Sequence, residues 1–535
     1  MGQFLITETL IIELLLVISL VALVVRRLRV PYTVALVIVG LLITFQQPAQ
    51  FTLTPNLILA LFVPPLVFEA AFHLEFRRLW DNLLPIAVLA IPGVILTTVI
   101  IGYLVSYGLG VALTSALVFG ALIAATDPVA VIALFRSVGA PKRLVVMVEG
   151  ESLFNDGTAI VIFGIVLAAA ATAASGGNAG SFDPGSAVLS FVEVSVGGLA
   201  VGAALGWLAS LVISRVDDYL IETTITTVLA FGSFLVAERL HVSGVLGVVA
   251  AGIVCGNIGP RGMSPTTRIV LFNFWEYLAF VANSFVFLLI GLSVDISHLY
   301  DNIVPIAIGI GAVLISRLLV VYGLSGLLNL FRRDSVPRAY QHVLFWGGLR
   351  GAIGLALVLS LPASFADRDL LRVMAFGVVL FTLLVQGTTM NVLLRRLGLV
   401  ERKDIELEYE RRHGRLLALS AARDRLERQH RTGMISTFTW EKLSQELNER
   451  IGQAREAQQA LLHDQPNLRD EEVDDARREG LRAQRAMLSS LYSHGVISEP
   501  IYEELVTEVD AALEDITADM AGIEQKIAEP QRADA

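Results

Sequence analysis

The sequence predicts an all-α polytopic membrane protein of about 13 transmembrane helices, followed by a helical cytoplasmic domain. Two observations support this fold class. Of the 535 residues, 55% are hydrophobic, which is high for a soluble chain of this length. The charged residues are also unevenly placed: 48 of the 90 Asp, Glu, Lys and Arg residues lie in 401–535, and 1–400 is left rich in long apolar runs.

Thirteen apolar runs are candidates for membrane spans. Crossing an apolar core of ~30 Å takes about 20 helical residues, and shorter runs are tolerated inside a bundle. The runs are 4–25, 31–46, 54–72, 83–107, 111–136, 144–173, 187–213, 220–237, 242–257, 267–295, 302–330, 338–361 and 369–396.

The basic residues in the loops predict the orientation. Arg26, Arg27 and Arg29 follow the first run, and Arg395 and Arg396 follow the thirteenth. The other odd-numbered runs are likewise followed by arginine or lysine, whereas the even-numbered runs are followed by three arginines in all. Basic loops stay in the cytoplasm. We therefore expect a multi-pass protein of the cell membrane, with its N-terminus outside and its C-terminal domain in the cytoplasm.

The thirteen runs divide into two inverted six-helix repeats, with the seventh run as connector. The fifth and twelfth runs then correspond, and both are interrupted. The fifth contains Thr126-Asp127-Pro128, and the twelfth contains GGLRGAIG at 347–354. Proline removes a backbone donor and glycine loosens the helix. Broken helices at matching positions of two repeats indicate a transport site near mid-membrane.

Residues 401–535 are predicted to form a separate helical regulatory domain. This region carries the whole net charge of −10, and it has no basic block that would favour nucleic acid. It contains a two-copy repeat, 430–447 and 492–509, read as two helix–turn–helix units. The sequence leaves the ligand of this domain open.

Ionisable side chains inside the membrane are functional candidates, because each costs ~2.5–3.5 kcal/mol at the bilayer centre. Asp127, Asp156, Arg317 and Arg350 fall near mid-depth of their runs, and Glu69 lies somewhat nearer the cytoplasm. Glu69 is either a ligand or gate, or a helix-end acid. Arg317 is read as a structural charge whose acidic partner the sequence does not identify.

Asp156 is the predicted site of cation and proton binding. Ser152 and Asp156 are four residues apart and share a helix face. A third oxygen is expected from the Thr126 carbonyl beside the helix break, so the predicted metal ligands are Asp156, Ser152 and Thr126. Oxygen ligands suit a hard cation such as Na⁺. Asp127 is expected to support this site, although the Ser152 hydroxyl could instead bond to its own helix.

Glu151 is expected to pair with Arg350. A guanidinium cannot shed its charge when buried, and it therefore needs a partner. This pair is predicted to be structural rather than part of the cation site.

Three segments resemble the signature motifs of monovalent cation/proton antiporters of the NhaP/NHE type. They are ATDPVAV (125–131), VEGESLFNDGTA (148–159) and WGGLRGAIGLAL (346–357). The resemblance covers residues 4–400 and leaves the tail outside it. It implies a homodimer, in which each subunit has a dimerisation part and a core part that moves like an elevator.

The resemblance also implies roles for individual residues. Asp156 of the Asn155-Asp156 pair would exchange Na⁺ or Li⁺ for H⁺. The positions that match the surrounding ion site are Thr126, Asp127, Ser152 and Glu69, and Glu151 and Arg350 match the intramembrane ion pair.

The expected function is therefore electroneutral 1:1 sodium (lithium)/proton antiport, in which Na⁺ and H⁺ compete for Asp156. Such a transporter is not an enzyme and needs no cofactor; its partners are the transported ions, membrane lipids and a second copy of the chain. The residues do not distinguish Na⁺ from K⁺, so potassium/proton antiport is the main alternative. A cation channel and a sensor coupled to the tail are the weaker ones.

Overall fold

The computed structural model describes residues 2–25, 32–46, 58–174, 184–216, 218–259, 265–293, 296–331, 336–399, 404–464, 466–509 and 512. Within these ranges the chain is helical and contains no β-strand. The chain divides into two compact units, Met1–Glu401 and Arg402–Ala535.

The first unit is built from nineteen helices within the described ranges. They are α1 (Gly2–Val25), α2 (Tyr32–Gln46), α3 (Val63–His73, after a π-helical turn Ile58–Phe62), α4 (Phe76–Asp81), α5 (Leu83–Ala90), α6 (Pro92–Leu109), α7 (Leu113–Ala124), α8 (Val129–Val138), α9 (Lys142–Ala174), α10 (Pro184–Ile213), α11 (Tyr219–Arg239), α12 (Gly244–Ile258), α13 (Pro265–Ser293), α14 (Ile296–Asp301), α15 (Ile303–Phe331), α16 (Arg338–Trp346), α17 (Ala352–Leu359), α18 (Arg368–Phe381) and α19 (Thr388–Arg396). A second π-helical segment, Thr382–Gly387, joins α18 to α19.

In the described part of the chain, each of the thirteen predicted runs contains helix. Within the described ranges, eight helical segments are long and apolar enough to cross a membrane, and four shorter apolar helices accompany them. The chain is thus a multi-pass helical protein, whereas the count of thirteen crossings and their inverted symmetry stay predictions.

The structure contains both predicted interruptions. The helix of the fifth run ends at Ala124 and resumes at Val129, and the helix of the twelfth ends at Trp346 and resumes at Ala352. Pro128 has no backbone N–H and directly precedes α8, and glycines occupy three of the five positions between α16 and α17. The local sequence therefore accounts for both breaks.

The helices of the first unit pack as two groups. One group joins α1–α3 with α10–α13, and the other joins α5–α9 with α15–α19. Contacts within each group, such as α10 with α12 or α6 with α7, are far more extensive than contacts between the groups. The chain passes from the second group to the first between α9 and α10, and it returns between α13 and α15.

Small residues let α10 and α12 approach closely. Gly198, Gly202 and Gly206 repeat every four residues on one face of α10. A Cβ on Gly202 would overlap the carbonyl group of Gly247, and one on Gly206 would lie 2.8 Å from the Ala251 oxygen. Stripes of small residues are a common way to pack membrane helices through van der Waals contact.

The second unit contains helices α20 (Asp404–Arg431), α21 (Thr437–Asp464), α22 (Pro466–Ser493) and α23 (499–509). They form two helical hairpins that coincide with the sequence repeat. Each hairpin turns at a left-handed glycine, with φ of +74° at Gly433 and +69° at Gly495. An aromatic pair brackets each turn: His430 stacks on Trp440 and Tyr492 stacks on Tyr502, with ring centroids 5.7 and 4.7 Å apart.

The α10–α12 contact generates a stability prediction. In Gly202→Ala, the new Cβ would force the two helices apart, and overpacking of this kind costs about 1–3 kcal/mol. We expect a lower melting temperature for the purified protein in detergent. Gly232→Ala in α11 is the matched control, because its Cβ would meet no atom within 4 Å and alanine favours helix. Equal melting temperatures for the two variants would contradict the packing described here.

Candidate cation-binding site

The two helix breaks are hydrogen-bonded to each other. The Asp127 backbone N–H donates to the Leu349 carbonyl at 2.8 Å. The Asp127 carboxylate accepts a hydrogen bond from the Val129 N–H at 2.9 Å. This bond gives a partner to one of the free N–H donors at the start of α8. The Asp127 side chain lies so close to Gly351 that a Cβ there would overlap it. Asp127 therefore ties the two breaks together, and its expected support of the cation site stays a prediction.

Helix α9 supplies polar side chains that hold the first break open. The Ser152 hydroxyl donates to the Thr126 carbonyl, and its oxygen lies 3.2 Å from the Thr126 hydroxyl. The Asn155 amide donates to the same Thr126 hydroxyl at 2.9 Å. These three side chains are buried. The Ser152 hydroxyl thus bonds to the break. The alternative that the sequence left open, a bond to its own helix, is not the one observed.

Asp156 lies one turn beyond Ser152 on the same face of α9. Its carboxylate lies near the Thr126 backbone, Asp127 and Arg350. Asp156 remains partly exposed, whereas Ser152 and Asn155 are buried. The structure therefore brings together Asp156, Ser152, Thr126, Asn155 and Asp127, all of which the sequence singled out.

A cavity of about 1050 Å³ opens onto this site between the two helix groups. Asp127, Ser152 and Asp156 line it from one side, and residues of α2, α3 and α13 line it from the other. Glu69 also faces the cavity, with its carboxylate 3.4 Å from the His73 ring. Further charged and polar residues line the same cavity, namely His73, Glu149, Glu276, Asn391 and Arg395.

The predicted pairing of Glu151 with Arg350 is wrong. Glu151 instead forms a bidentate ion pair with Arg317 of α15, with N–O distances of 2.6 and 2.9 Å. Arg317 also donates to the Leu344 carbonyl, one of the carbonyls left without a partner at the end of α16. The pair is buried and links α9, α15 and α16. Arg317, whose partner the sequence did not identify, is thus the cation that neutralises Glu151.

Arg350 satisfies backbone carbonyls rather than a carboxylate. Its Nη1 donates to the carbonyls of Ala124 and Ala125, at 2.6 and 3.2 Å, where α7 ends at the break. A cation at a helix C-terminus is favoured by the helix dipole. The backbone N–H of Arg350 donates to the Thr382 hydroxyl at 3.2 Å, and Thr382 begins the π-helical segment. Sequence reasoning missed Thr382, because a single threonine in an apolar run carries no distinctive pattern.

Residues 14–396 match the protein family described as sodium/hydrogen exchanger, transmembrane. Three curated relatives are similar to this chain. The Na⁺/H⁺ antiporter ApNhaP of Aphanothece halophytica is 44% identical over 373 residues, 70% of each chain. The low-affinity Na⁺/H⁺ antiporter NhaS1 of Synechocystis is 42% identical over 406 residues, covering 75% of this chain and 76% of its own. The Na⁺/H⁺ antiporter NhaG of Bacillus atrophaeus is 36% identical over 489 residues, covering 89% and 92%.

The fold resembles that of the solved sodium proton antiporter MjNhaP1 of Methanocaldococcus jannaschii. The TM-score is 0.60 at 20% identity, and the match covers 74% of this chain and 99% of that one. The alignment with NhaG is too long to end at residue 401, so it reaches into the C-terminal unit. The expectation that the tail lies outside the shared part is therefore wrong for this relative.

The ion pair of Glu151 and Arg317 generates a prediction about coupling. Removing one partner leaves a buried charge without compensation, so Glu151→Gln and Arg317→Met should each lower the melting temperature strongly. The melting temperature of the double variant should be little lower than that of either single variant, because the effects of two contacting residues on stability are not additive. Combining Glu151→Gln with Arg350→Met is the control, and there the losses should add. Coupling to Arg350 and not to Arg317 would contradict the observed pairing.

Proposed function

Because the chain belongs to the sodium/hydrogen exchanger family, we propose that it exchanges Na⁺ or Li⁺ for H⁺ across the membrane as a secondary active antiporter. The observation that carries this proposal is the position of Asp156: a carboxylate open to a cavity, beside a helix break and among hydroxyl and carbonyl oxygens. The three curated relatives are named Na⁺/H⁺ antiporters, which supports the same ions for this chain.

The proposed ligands of the transported cation are oxygens of Asp156, Ser152 and Thr126. A hard cation such as Na⁺ prefers carboxylate, hydroxyl and carbonyl oxygens. Asn155 orients the Thr126 hydroxyl through its amide. The carbonyl oxygen of that amide is buried and has no hydrogen-bond partner among the described residues, so it is available as a further ligand. Asp127 fixes the break, and Glu69 lies along the approach to the site.

Coupling follows from competition for one carboxylate. When Asp156 holds a proton or a sodium ion, its charge is neutralised. When it holds neither, an ionised carboxylate must pass an apolar barrier, which is costly. The loaded forms therefore cross and the empty form does not, so one ion is exchanged for the other.

The proposed exchange is electroneutral with a 1:1 stoichiometry. Asn155 precedes Asp156 and contributes no charge. Glu151 is neutralised by Arg317 whichever ion Asp156 holds. The sodium-loaded and proton-loaded sites then carry the same net charge, and the step that crosses the membrane moves none.

The proposed movement is an elevator displacement of one helix group against the other. The site lies wholly on α7–α9, α17 and the breaks of the second group, and the cavity separates it from the first group. Sparse contact between the groups is compatible with sliding. We further propose that the first group mediates homodimerisation, with α10 and α11 presenting large apolar side chains such as Leu189, Trp207 and Val228 on the surface.

The proposed orientation places the N-terminus outside the cell and the C-terminal unit in the cytoplasm. The arginines that follow the odd-numbered runs support it. In this orientation the cavity opens towards the cytoplasm, because His73, Glu149 and Arg395 lie near the basic ends of their runs. Residues 402–535 are then a cytoplasmic regulatory domain, whose repeated hairpins offer two similar surfaces for a ligand.

The central prediction concerns Asp156. Asp156→Asn cannot exchange a proton for a cation, so proton flux driven by Na⁺ in proteoliposomes should fall to the background of empty liposomes. The variant should still purify as folded protein, because asparagine keeps the shape of the side chain. Asp369→Asn is the control, since this side chain is 92% exposed and should leave exchange unchanged. Testing Na⁺, Li⁺ and K⁺ in parallel decides between sodium and potassium. Substantial exchange by Asp156→Asn would remove this residue from the central role.

A second prediction concerns voltage. If one full charge crossed the membrane in each cycle, 100 mV would be worth about 2.3 kcal/mol, or up to about 50-fold in rate. We expect the initial rate of Na⁺-driven proton flux to change by less than about twofold when a potassium gradient with valinomycin imposes 100 mV. A steep voltage dependence would contradict electroneutral exchange.

A further inference from the structure

Helix α4 carries the chain from the first helix group to the second. It follows α3 of the first group and precedes α5 of the second. It packs mainly on α5 and α9, both of the second group. Leu79 of α4 is buried, and a Cβ on Gly150 of α9 would lie 3.4 Å from its Cδ1 atom. By its packing α4 is therefore part of the second group, and the boundary between the groups lies at the joint before it.

The joint consists of two extended residues, Leu74 and Glu75, with ψ angles of 116° and 117°. They separate the last turn of α3 from the first turn of α4. On the α3 side of the joint, α12 packs so closely that a Cβ on Gly256 would overlap the Phe72 carbonyl group. Helices α3 and α12 are thus held together up to the joint, and the backbone changes direction only beyond them.

Asn257, near the end of α12, is hydrogen-bonded to both sides of this joint. Its amide nitrogen donates to the Leu74 carbonyl at 3.0 Å and to the Ile253 carbonyl of its own helix at 2.8 Å. Its amide oxygen accepts from the Phe76 N–H at 2.8 Å. A flipped amide would place its oxygen against two carbonyls, so these partners fix its orientation. Phe76 is the first residue of α4, and its N–H is one of the free donors of a helix start.

The far end of α4 is bonded within the second group. The Asn82 amide donates to the Arg78 carbonyl at 2.9 Å, and Arg143 Nε at the start of α9 donates to the Asn82 amide oxygen at 2.9 Å. These bonds do not cross the boundary between the groups, so a movement of the second group as one body keeps them. The bond from the Phe76 N–H to Asn257 does cross it, and a movement that turns α4 away from α12 breaks it.

We propose that Asn257 is a latch, which holds the second helix group in the position where the cavity is open and releases it when the bond to the Phe76 N–H breaks. The proposal rests on the proposed antiport by movement of one helix group against the other. The bond lies at an exposed position, so water replaces the lost partner and the net stabilisation is small. The latch therefore biases the balance between the two positions and does not block the movement between them.

Two variants remove this bond from its two ends. Asn257→Leu removes the amide with little change in shape. Phe76→Pro removes the backbone N–H. Proline is well tolerated at the first position of a helix, and the preceding Glu75 already has the extended backbone that proline favours. Phe76→Ala is the matched control, because it removes the aromatic ring and keeps the N–H.

The test measures the apparent KM for Na⁺ from each side, in inside-out and right-side-out membrane vesicles. A latch that favours the open cavity lowers the KM on that side at the expense of the other side. Asn257→Leu and Phe76→Pro should therefore each raise the ratio of the cavity-side KM to the opposite-side KM about fivefold, which corresponds to about 1 kcal/mol. The double variant should show the same ratio as either single variant, because both changes remove the same bond. Phe76→Ala should leave the ratio unchanged.

An unchanged ratio in either folded variant would overturn the proposal. So would an equal rise of both KM values, which indicates general damage to the structure, or the same change in Phe76→Ala, which assigns the effect to the ring. If Asn257→Leu does not fold, the comparison of Phe76→Pro with Phe76→Ala decides the matter. Inactive wild-type vesicles would instead refute the proposed antiport, on which the latch depends.

Discussion

Backbone groups released by two helix breaks inside an apolar bundle must find partners, and the whole site is organised by that constraint. Without water, each unpaired N–H or carbonyl costs several kcal/mol. The two breaks solve part of the problem by bonding to each other, through the Asp127 N–H and the Leu349 carbonyl. The Arg350 side chain donates to the carbonyls at the end of α7, and the Arg350 backbone N–H donates to the Thr382 hydroxyl. The Thr126 carbonyl accepts from the Ser152 hydroxyl, and we propose that it exchanges this hydroxyl for the transported cation.

Under the same constraint, each buried charge has its own kind of partner. Glu151 and Arg317 neutralise each other and tie α9 to the end of α16. Arg350 faces helix-end carbonyls, and Asp127 faces a helix-start N–H. Asp156 shares its surroundings with these groups but is open to the cavity. Asp127 lines the cavity as well, but its carboxylate is held by the Val129 N–H. We propose that Asp156 is the acid whose occupant changes, while the other charges stay fixed.

Local features of this fold could be predicted from the sequence, and long-range pairings could not. Pro128 and the glycines around Arg350 act on their own backbone, so the breaks were predictable. The spacing of Ser152 and Asp156 fixes a shared helix face, so the core of the site was predictable as well. The partner of Glu151 depends on which helix packs opposite α9, and two arginines at similar depth left that choice open.

The arrangement of these groups leads us to propose that one carboxylate, that of Asp156, holds either a proton or a sodium ion. The direct measurement is proton release from the purified protein in weakly buffered detergent solution, followed with a pH indicator as NaCl is added, with choline chloride as the ionic control. We predict up to one proton released for each sodium ion bound, and none released by Asp156→Asn. Sodium binding without proton release by the wild-type protein across the whole pH range, or undiminished release by Asp156→Asn, would contradict it.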